Sequence, residues 1–272
     1  MLRDLADIAD GSTYDVIVAG AGAAGMAAAL FAAIAGQRVL LIERTEYLGG
    51  TSALSGGTTW VPGTPEGKAV NPDDTRAAAS AFLTGVVGNH SDATLREAFL
   101  DAGPAAIATL EAHSEVRFRA YPTHPDYEQQ VVGATMRGRA LEPLPFDGRA
   151  LGPALHAIRP PIPEFTIFGG MMVDRTDINH LLSLTKSVKS FLHAAKILAN
   201  YGRDRLSGSK RGSRLVMGNA LIGRLLASLL ERGVDILRET EVTGFERDAS
   251  GVSGVVAESR NTAAKHRPIA IS

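Results

Sequence analysis

Three glycines carry the first chemistry legible in this chain. The stretch "YDVIVAGAGAAG", residues 14–25, places Gly20, Gly22 and Gly25 in a G-x-G-x-x-G spacing directly after an apolar, β-branched run. In that spacing the first glycine turns the chain tightly out of a strand. The second lets bare backbone approach a diphosphate, and the third lets the following helix pack on the strand. A helix N-terminus at that point offers free N–H groups and a favourable dipole to an anion. Glu43 lies 21 residues beyond Gly22, at the end of the apolar run "QRVLLIE". A carboxylate there accepts hydrogen bonds from a ribose diol and disfavours a 2′-phosphate. The pattern points to a dinucleotide.

A second glycine-rich stretch narrows the choice. "ERTEYLGGTSALSGGTTWVPGT", residues 43–64, sets a Gly-Gly-Thr-Ser turn and then Ser-Gly-Gly just beyond the acid. Glycines admit a flat ring close to backbone, and short hydroxyls bond ring heteroatoms without filling its space. The stretch resembles the flavoprotein family of fumarate reductases, succinate dehydrogenase flavoprotein subunits and 3-ketosteroid Δ1-dehydrogenases, most of all its steroid-dehydrogenase-like members. The resemblance implies FAD as cofactor. By motif match, Gly20, Gly22, Ala23, Ala24 and Gly25 would meet the pyrophosphate, Glu43 the ribose and Arg44 the adenosine end. Gly49, Gly50, Thr51, Ser52, Ser55, Gly56 and Gly57 would face the riboflavin half. "LRETEVTGFE" is similar to the family's strand beside the adenine, with Val242 at the position whose backbone bonds the base.

The resemblance extends to "HPDYEQQVVGATMRGRALEPLPFDGRALG", residues 124–152. Steroid-dehydrogenase-like members carry an active-site tyrosine in this segment, and Tyr127 is the nearest match. The implied reaction is removal of two hydrogens from adjacent carbons beside a ketone, with hydride to the flavin and the proton to a tyrosine. The implied partner is a small hydrophobic ketone such as a 3-ketosteroid; the electron acceptor stays open. Three other readings are kept: a cofactor-binding part that is inactive alone, a fumarate reductase-like enzyme for a dicarboxylate, and an NAD enzyme. The Gly-Gly-Thr-Ser and Ser-Gly-Gly turns argue against the last.

These residues must be positioned by a strand–helix–strand unit. "YDVIVAG" reads as a strand buried on both faces, "AAGMAAALFAAIAG" as a helix ending at Gly36, and "QRVLLIE" as a second buried strand. The fold class expected is α/β, a Rossmann-like FAD-binding domain over 1–272. Its βαβ core spans 14–43, an inserted helical and irregular region 68–230, and returning strands 234–258. Residues 77–110 read as two helices, the second capped by Asp92. Residues 178–200 read as one long helix with Leu181, Leu184, Val188, Phe191, Ala195 and Leu198 on an inward stripe and Lys186, Lys189, His193 and Lys196 opposite. Family members are about twice as long, so a cap domain and a second, C-terminal FAD segment are expected to be absent. "RPIAIS" would then begin the family's next buried strand, and "YDVIVAG" would be left at an apolar sheet edge.

Composition excludes several other chemistries. There are no cysteines, hence no disulfide, thiolate metal site or cysteinyl–flavin bond. The seven histidines form no H-x-H or H-E-x-x-H pair, so no metal site is expected. The net charge of −1 gives no general reason to expect nucleic acid or acidic lipid as partner. No apolar run approaches the length of a membrane span, and a cytoplasmic location is expected.

Overall fold

A computed structural model of the chain describes residues 1–209, 211–249, 251–260 and 269–272. It divides into two compact units, one of Met1–Ser55 with Pro145–Ser272 and one of Gly56–Leu144. Within the first, the chain begins with β1 (Leu2–Arg3), β2 (Val16–Ala19), α1 (Ala23–Ile34) and β3 (Val39–Ile42). β2 and β3 pair in parallel, from Val16 opposite Val39 to Ala19 opposite Ile42. This is the expected βαβ unit. Met26, Ala29 and Leu30 fall at helical spacing on the buried side of α1. Gly36 follows the helix at φ +83°, where a side chain would be strained.

The second unit carries β4 (Thr59–Trp60), α2 (Pro65–Val70), α3 (Arg76–Val87), α4 (Ala93–His113), β5 (Phe118–Ala120) and β6 (Ala140–Pro143). The two expected helices are α3 and α4, capped by Thr75 and Asp92. The strands form an antiparallel sheet in the order β4–β6–β5.

Returning to the first unit, the chain forms β7 (Phe146–Asp147), β8 (Thr166–Ile167), β9 (Met171–Met172), α5 (Arg175–Leu182), α6 (Val188–Leu206), β10 (Arg214–Leu215) and α7 (Met217–Glu231). Then come β11 (Asp235–Leu237), β12 (Thr240–Asp248), β13 (Gly251–Ser259) and β14 (Ile269–Ile271). β11 enters between β1 and β3, giving a parallel sheet in the order β1–β11–β3–β2. α7 packs on α1 and buries Leu221, Ile222, Leu225, Leu226 and Leu229. β12, β13 and β14 form an antiparallel meander. Residues 145–230, part of the expected insertion, belong to the same compact unit as the βαβ core.

Four expectations are corrected. β3 is buried along its whole length, but Val16, Ile17 and Val18 of β2 are only half-buried and Ala19 is exposed, because β2 lies at the sheet edge. "RPIAIS" begins no strand of the parallel sheet: Ile269–Ile271 pairs antiparallel with β13, while Pro268 lies outside the described residues. The single helix over 178–200 is two. A capping box of Asp174 and Asp177 starts α5 early. Ser183, Thr185 and Ser187 then interrupt it; such hydroxyl residues compete for backbone hydrogen bonds. Ser187, extended at φ −153° and ψ 130°, opens α6. The inward stripe is also wrong. Ser190, Ala194, Ile197, Tyr201 and Asp204 are the buried residues of α6, and Val188, Phe191 and Leu198 are exposed.

Asp177 ties this hairpin down. Its fully buried carboxylate accepts from Arg214 Nη2 at 2.7 and 2.8 Å, from the Asp174 N–H at 3.0 Å, and meets His193 Nε2 at 2.7 Å. Burial alone would raise its pKa, but the Arg214 guanidinium, the Asp174 N–H and His193 outweigh burial and hold it below the ordinary carboxylate value. A depressed pKa stabilises the fold above the unfolded value of about 4, and that stability is lost as pH falls through the folded value. Asp177→Asn therefore lowers stability at neutral pH by about 3–5 kcal/mol. It also removes part of the acid-side loss in a pH series of melting curves; an unchanged series would show that this carboxylate stabilises nothing.

Candidate cofactor site

The three glycines of the first turn have three separable reasons to be glycine. Gly20 leaves β2 at φ +100°, a conformation side chains rarely adopt, and its N–H donates to Ile42 O at 2.7 Å. A Cβ on Gly25 would lie 1.9 Å from Gly20 O, so α1 could not start this close to the strand. Gly22 is different. Its backbone is ordinary, φ −72° and ψ 175°, and a Cβ there would meet nothing nearer than Ser52 Oγ at 4.0 Å. No internal contact requires glycine at that position; its absent side chain leaves room before the helix N-terminus. Among the described residues, no acceptor lies within hydrogen-bonding geometry of the Ala24 or Gly25 N–H. Room, free donors and a helix dipole together fit a diphosphate.

The second turn is joined to the first. Gly22 and Gly49 form a parallel bridge, and the Gly49 N–H donates to Ala21 O at 2.8 Å. The Ser52 hydroxyl accepts from the Ala23 N–H at 3.2 Å. Gly49 and Gly50 have φ of +108° and +50°. A Cβ on Gly50 would sit 3.5 Å from Gly22 Cα, so the two turns lie backbone against backbone. Thr51 and Ser55 are exposed, and the Ser55 hydroxyl donates to Ser52 O at 2.8 Å.

Glu43 does more than the sequence implies. One carboxylate oxygen accepts from the buried Ala21 N–H at 2.9 Å; the other accepts from the Thr45 N–H and hydroxyl, both at 2.9 Å. The acid thus fixes the glycine turn as well as lining a cleft of about 290 Å³ with Gly20, Arg44, Thr240, Glu241 and Val242. The structure brings Arg44 and Val242 together with Glu43, although 198 residues separate Arg44 from Val242 in sequence. Gly56, Gly57 and Tyr127 belong to the second unit. Gly57 has φ +69°. Tyr127 is 92% exposed and lines a cleft of about 390 Å³ with Trp60, Phe82, Leu83, Val86 and Pro125. The neighbouring Asp126 is buried. It accepts from Trp60 Nε1 at 2.7 Å, Arg139 Nη1 at 3.0 Å and the Thr135 N–H at 3.0 Å, which anchors the segment carrying Tyr127.

Sequence reasoning missed the support under the second turn. A Cβ on Gly218 would lie 1.9 Å from Ser52 O, and its N–H donates to Ser55 O at 3.0 Å. Asn219, fully buried, donates to Ala53 O at 2.7 Å and accepts from Arg211. Arg211 also donates to Leu155 O at 3.0 Å and Ile158 O at 2.8 Å. Burial lowers the Arg211 pKa to about 10, which leaves it charged at neutral pH. One signal was available: a lone asparagine early in the apolar helix "MGNALIGRLLASLL" demands a partner.

Compared with known proteins, residues 15–272 match the family model described as "FAD binding domain". The chain belongs to that family. FAD is its cofactor. The chain is 37% identical over 247 residues, 89% of its length, to 4-oxocyclohex-2-ene-1-carboxylate 5-dehydrogenase of Sinomonas cyclohexanicum, covering 41% of that protein. It is 34% identical over 246 residues to 3-oxosteroid 1-dehydrogenase of Mycolicibacterium smegmatis, covering 90% of this chain and 42% of that one. The crystal structure of 3-ketosteroid Δ1-dehydrogenase from Sterolibacterium denitrificans, in complex with 1,4-androstadiene-3,17-dione, superposes with a TM-score of 0.83 at 27% identity. That match covers 96% of this chain and 46% of that one. The chain thus spans less than half the length of these relatives. The resemblance to the steroid-dehydrogenase-like flavoproteins, and the α/β FAD-binding fold, are borne out. Among the described residues, no helix is long and apolar enough to cross a membrane.

Because Asn219 joins the second glycine turn to the Arg211 network, Asn219→Ala strands a buried carbonyl and part of a buried guanidinium. It costs about 1–3 kcal/mol of stability and weakens FAD retention. Thermal melting with and without added FAD checks this; two unchanged curves would take Asn219 out of the site's support.

Proposed function

We propose that the chain holds the FAD of an oxidoreductase that dehydrogenates a carbon–carbon bond next to a ketone in a cyclic, hydrophobic substrate. The observation that supports it best is the Gly22–Gly49 bridge, which joins two turns spaced for the two halves of one long dinucleotide. In this reading the N–H groups of Ala24 and Gly25, over bare Gly22, hold the pyrophosphate, and Glu43 accepts from the ribose diol. Arg44 and the Val242 backbone take the adenosine end. Gly50, Thr51, Ser52, Ser55, Gly56 and Gly57 lie along the riboflavin half. Bound FAD supplies the hydride acceptor.

Tyr127 takes the proton from the carbon that the ketone acidifies. Its cleft offers flat and branched apolar walls, Trp60, Phe82, Leu83 and Val86, suited to alicyclic rings. The lining residues include Asp126 and Glu128 and no arginine or lysine, which disfavours a dicarboxylate substrate. The names of both curated relatives describe dehydrogenation of a cyclic ketone, and the substrate class is drawn from that shared chemistry.

Two experiments test the reading. Gly22→Val puts a branched side chain where the diphosphate would rest, in space the protein itself leaves empty. The purified variant loses bound flavin in its visible spectrum yet keeps its melting temperature in the apo form; full flavin occupancy would remove Gly22 from the site. For the substrate half, Trp60 is the chain's one tryptophan. A cyclic 3-ketone should quench its emission equally in the parent and in Tyr127→Phe, while kcat in the holoenzyme falls by about 10²-fold or more in the variant. Equal kcat withdraws the proton-transfer role, and absence of quenching withdraws the cleft.

A further inference from the structure

Arg139 is the bulkiest fully buried side chain among the described residues, at 1% exposure, and it lies directly behind the cleft that carries Tyr127. Its backbone is fixed by β4: the Arg139 C=O accepts from the Val61 N–H at 2.8 Å, next to the pairing of Trp60 with Ala140. Its side chain reaches in two directions. Nε and Nη2 donate to the two oxygens of Asp74, at 2.9 and 2.6 Å, just before α3. Nη1 donates to Asp126 at 3.0 Å. The guanidinium carbon stands 5.7 Å from the Trp60 ring centre and 5.8 Å from that of Phe82. Trp60, Phe82 and Asp126 all line the cleft. One guanidinium thus ties three lining residues to the start of α3.

Tyr127 has no anchor of its own. It is 92% exposed, and among the described residues its side chain makes no hydrogen bond or ring contact. A side chain without partners is placed by its backbone. That backbone is held at the preceding residue, where the Asp126 N–H donates to Thr135 O at 2.9 Å. The Asp126 carboxylate takes Arg139 Nη1, Trp60 Nε1 and the Thr135 N–H. Of these three donors only Arg139 carries a charge. A buried carboxylate without its counter-charge moves toward water, and the Tyr127 backbone moves with it.

Stability does not call for an arginine at this place. A buried ion pair replaced as a whole by packed apolar residues is often neutral or more stable. What the arginine supplies is direction. Its planar fork grips Asp74 with two parallel bonds and presents the remaining nitrogen to Asp126 at a fixed angle. A lysine keeps the charge but has no fork, so it cannot hold both carboxylates in that geometry.

We propose that Arg139 is a positioning residue for the dehydrogenation proposed above: through Asp126 it sets where the Tyr127 hydroxyl meets the substrate. It touches no substrate atom itself, being closed off behind Trp60 and Phe82. The same carboxylate holds the indole N–H of Trp60 at 2.7 Å, so one ion pair sets both an apolar wall of the cleft and the hydroxyl that works beside it. The inference rests on the proton-transfer role of Tyr127.

Arg139→Lys in the holoenzyme tests it, with Trp60, the chain's one tryptophan, as reporter. FAD content should match the parent. Trp60 emission should shift to longer wavelength as the indole loses its fixed acceptor. For a cyclic 3-ketone, kcat should fall by about tenfold or more with KM nearly unchanged. In a Tyr127→Phe background the same substitution should change kcat by less than about twofold, because the hydroxyl it positions is gone. Asp74→Asn frees the other end of the fork; it should act in the same direction, and it carries the test if Arg139→Lys does not fold. Losses that multiply with that of Tyr127→Phe, or a kcat equal to the parent's in both variants, overturn the positioning role and leave the tyrosine's intact. A lower melting temperature with the parent's kcat, KM and emission would make Arg139 structural only. A Tyr127→Phe variant with the parent's kcat overturns both readings.

Discussion

The two glycine turns depend on the main chain of one residue, Ala21. Its N–H donates to the Glu43 carboxylate and its C=O accepts from the Gly49 N–H, at 2.9 and 2.8 Å. Ala21 is fully buried, so neither group has water as an alternative partner. These two bonds join the end of β2, the end of β3 and the second glycine turn at a single point. A buried donor left unpaired costs about 1–3 kcal/mol. The acid at 43 and the glycine turn are therefore ordered together by the protein's own bonds, and a ligand entering there spends little of its binding energy on ordering the turn.

The βαβ core was legible because its signals are local. A β-branched run, a glycine spacing and an alanine-rich helix act over a dozen residues each, and the structure repeats them with the expected parallel register. The joining of residues 22 and 49 was legible only as motif order. The supports at Asn219 and Arg211 were not, because their partners, the carbonyls of Ala53, Leu155 and Ile158, are backbone atoms that leave no mark in the sequence. α6 shows another limit. Periodicity tells which residues share a face, but it does not say which way that face points. The polar residues Ser190, Tyr201 and Asp204 hold it there, each through a hydrogen bond to a neighbouring segment, to His180, Phe168 and Ser213 in turn.

The half-buried β2 follows from its place in the sheet order. A strand at the end of a sheet has one row of backbone groups without a strand partner, and side chains that lack neighbours on one side. Here the approach to that edge is met just before the strand begins. The Tyr14 N–H donates to Ser272 O at 2.6 Å, and Ser12 bridges Ile271 in parallel. The meander strand β14 is thus antiparallel to β13 and meets the stretch before β2 at residues 10–14. Ile271 is fully buried, in the same apolar cluster as Leu40, Ile42, Leu237 and Val255. The meander is fastened to the sheet by that core more than by strand pairing along β2.

A site built mainly from main chain explains how the superposition reaches a TM-score of 0.83 at 27% identity. Backbone N–H groups, a positive φ and the absence of a Cβ ask for glycine at a few positions and for little elsewhere. Between those positions, side chains are free to vary as long as α1 keeps packing on the sheet and α7 on α1. Gly25 and Gly218 mark where that freedom stops: at each, an added Cβ would come within 1.9 Å of a carbonyl oxygen, Gly20 O in one case and Ser52 O in the other. Both contacts bring a helix start against a turn of the cofactor site. The tolerance of the fold and the geometry of the site are therefore limited together at these two points.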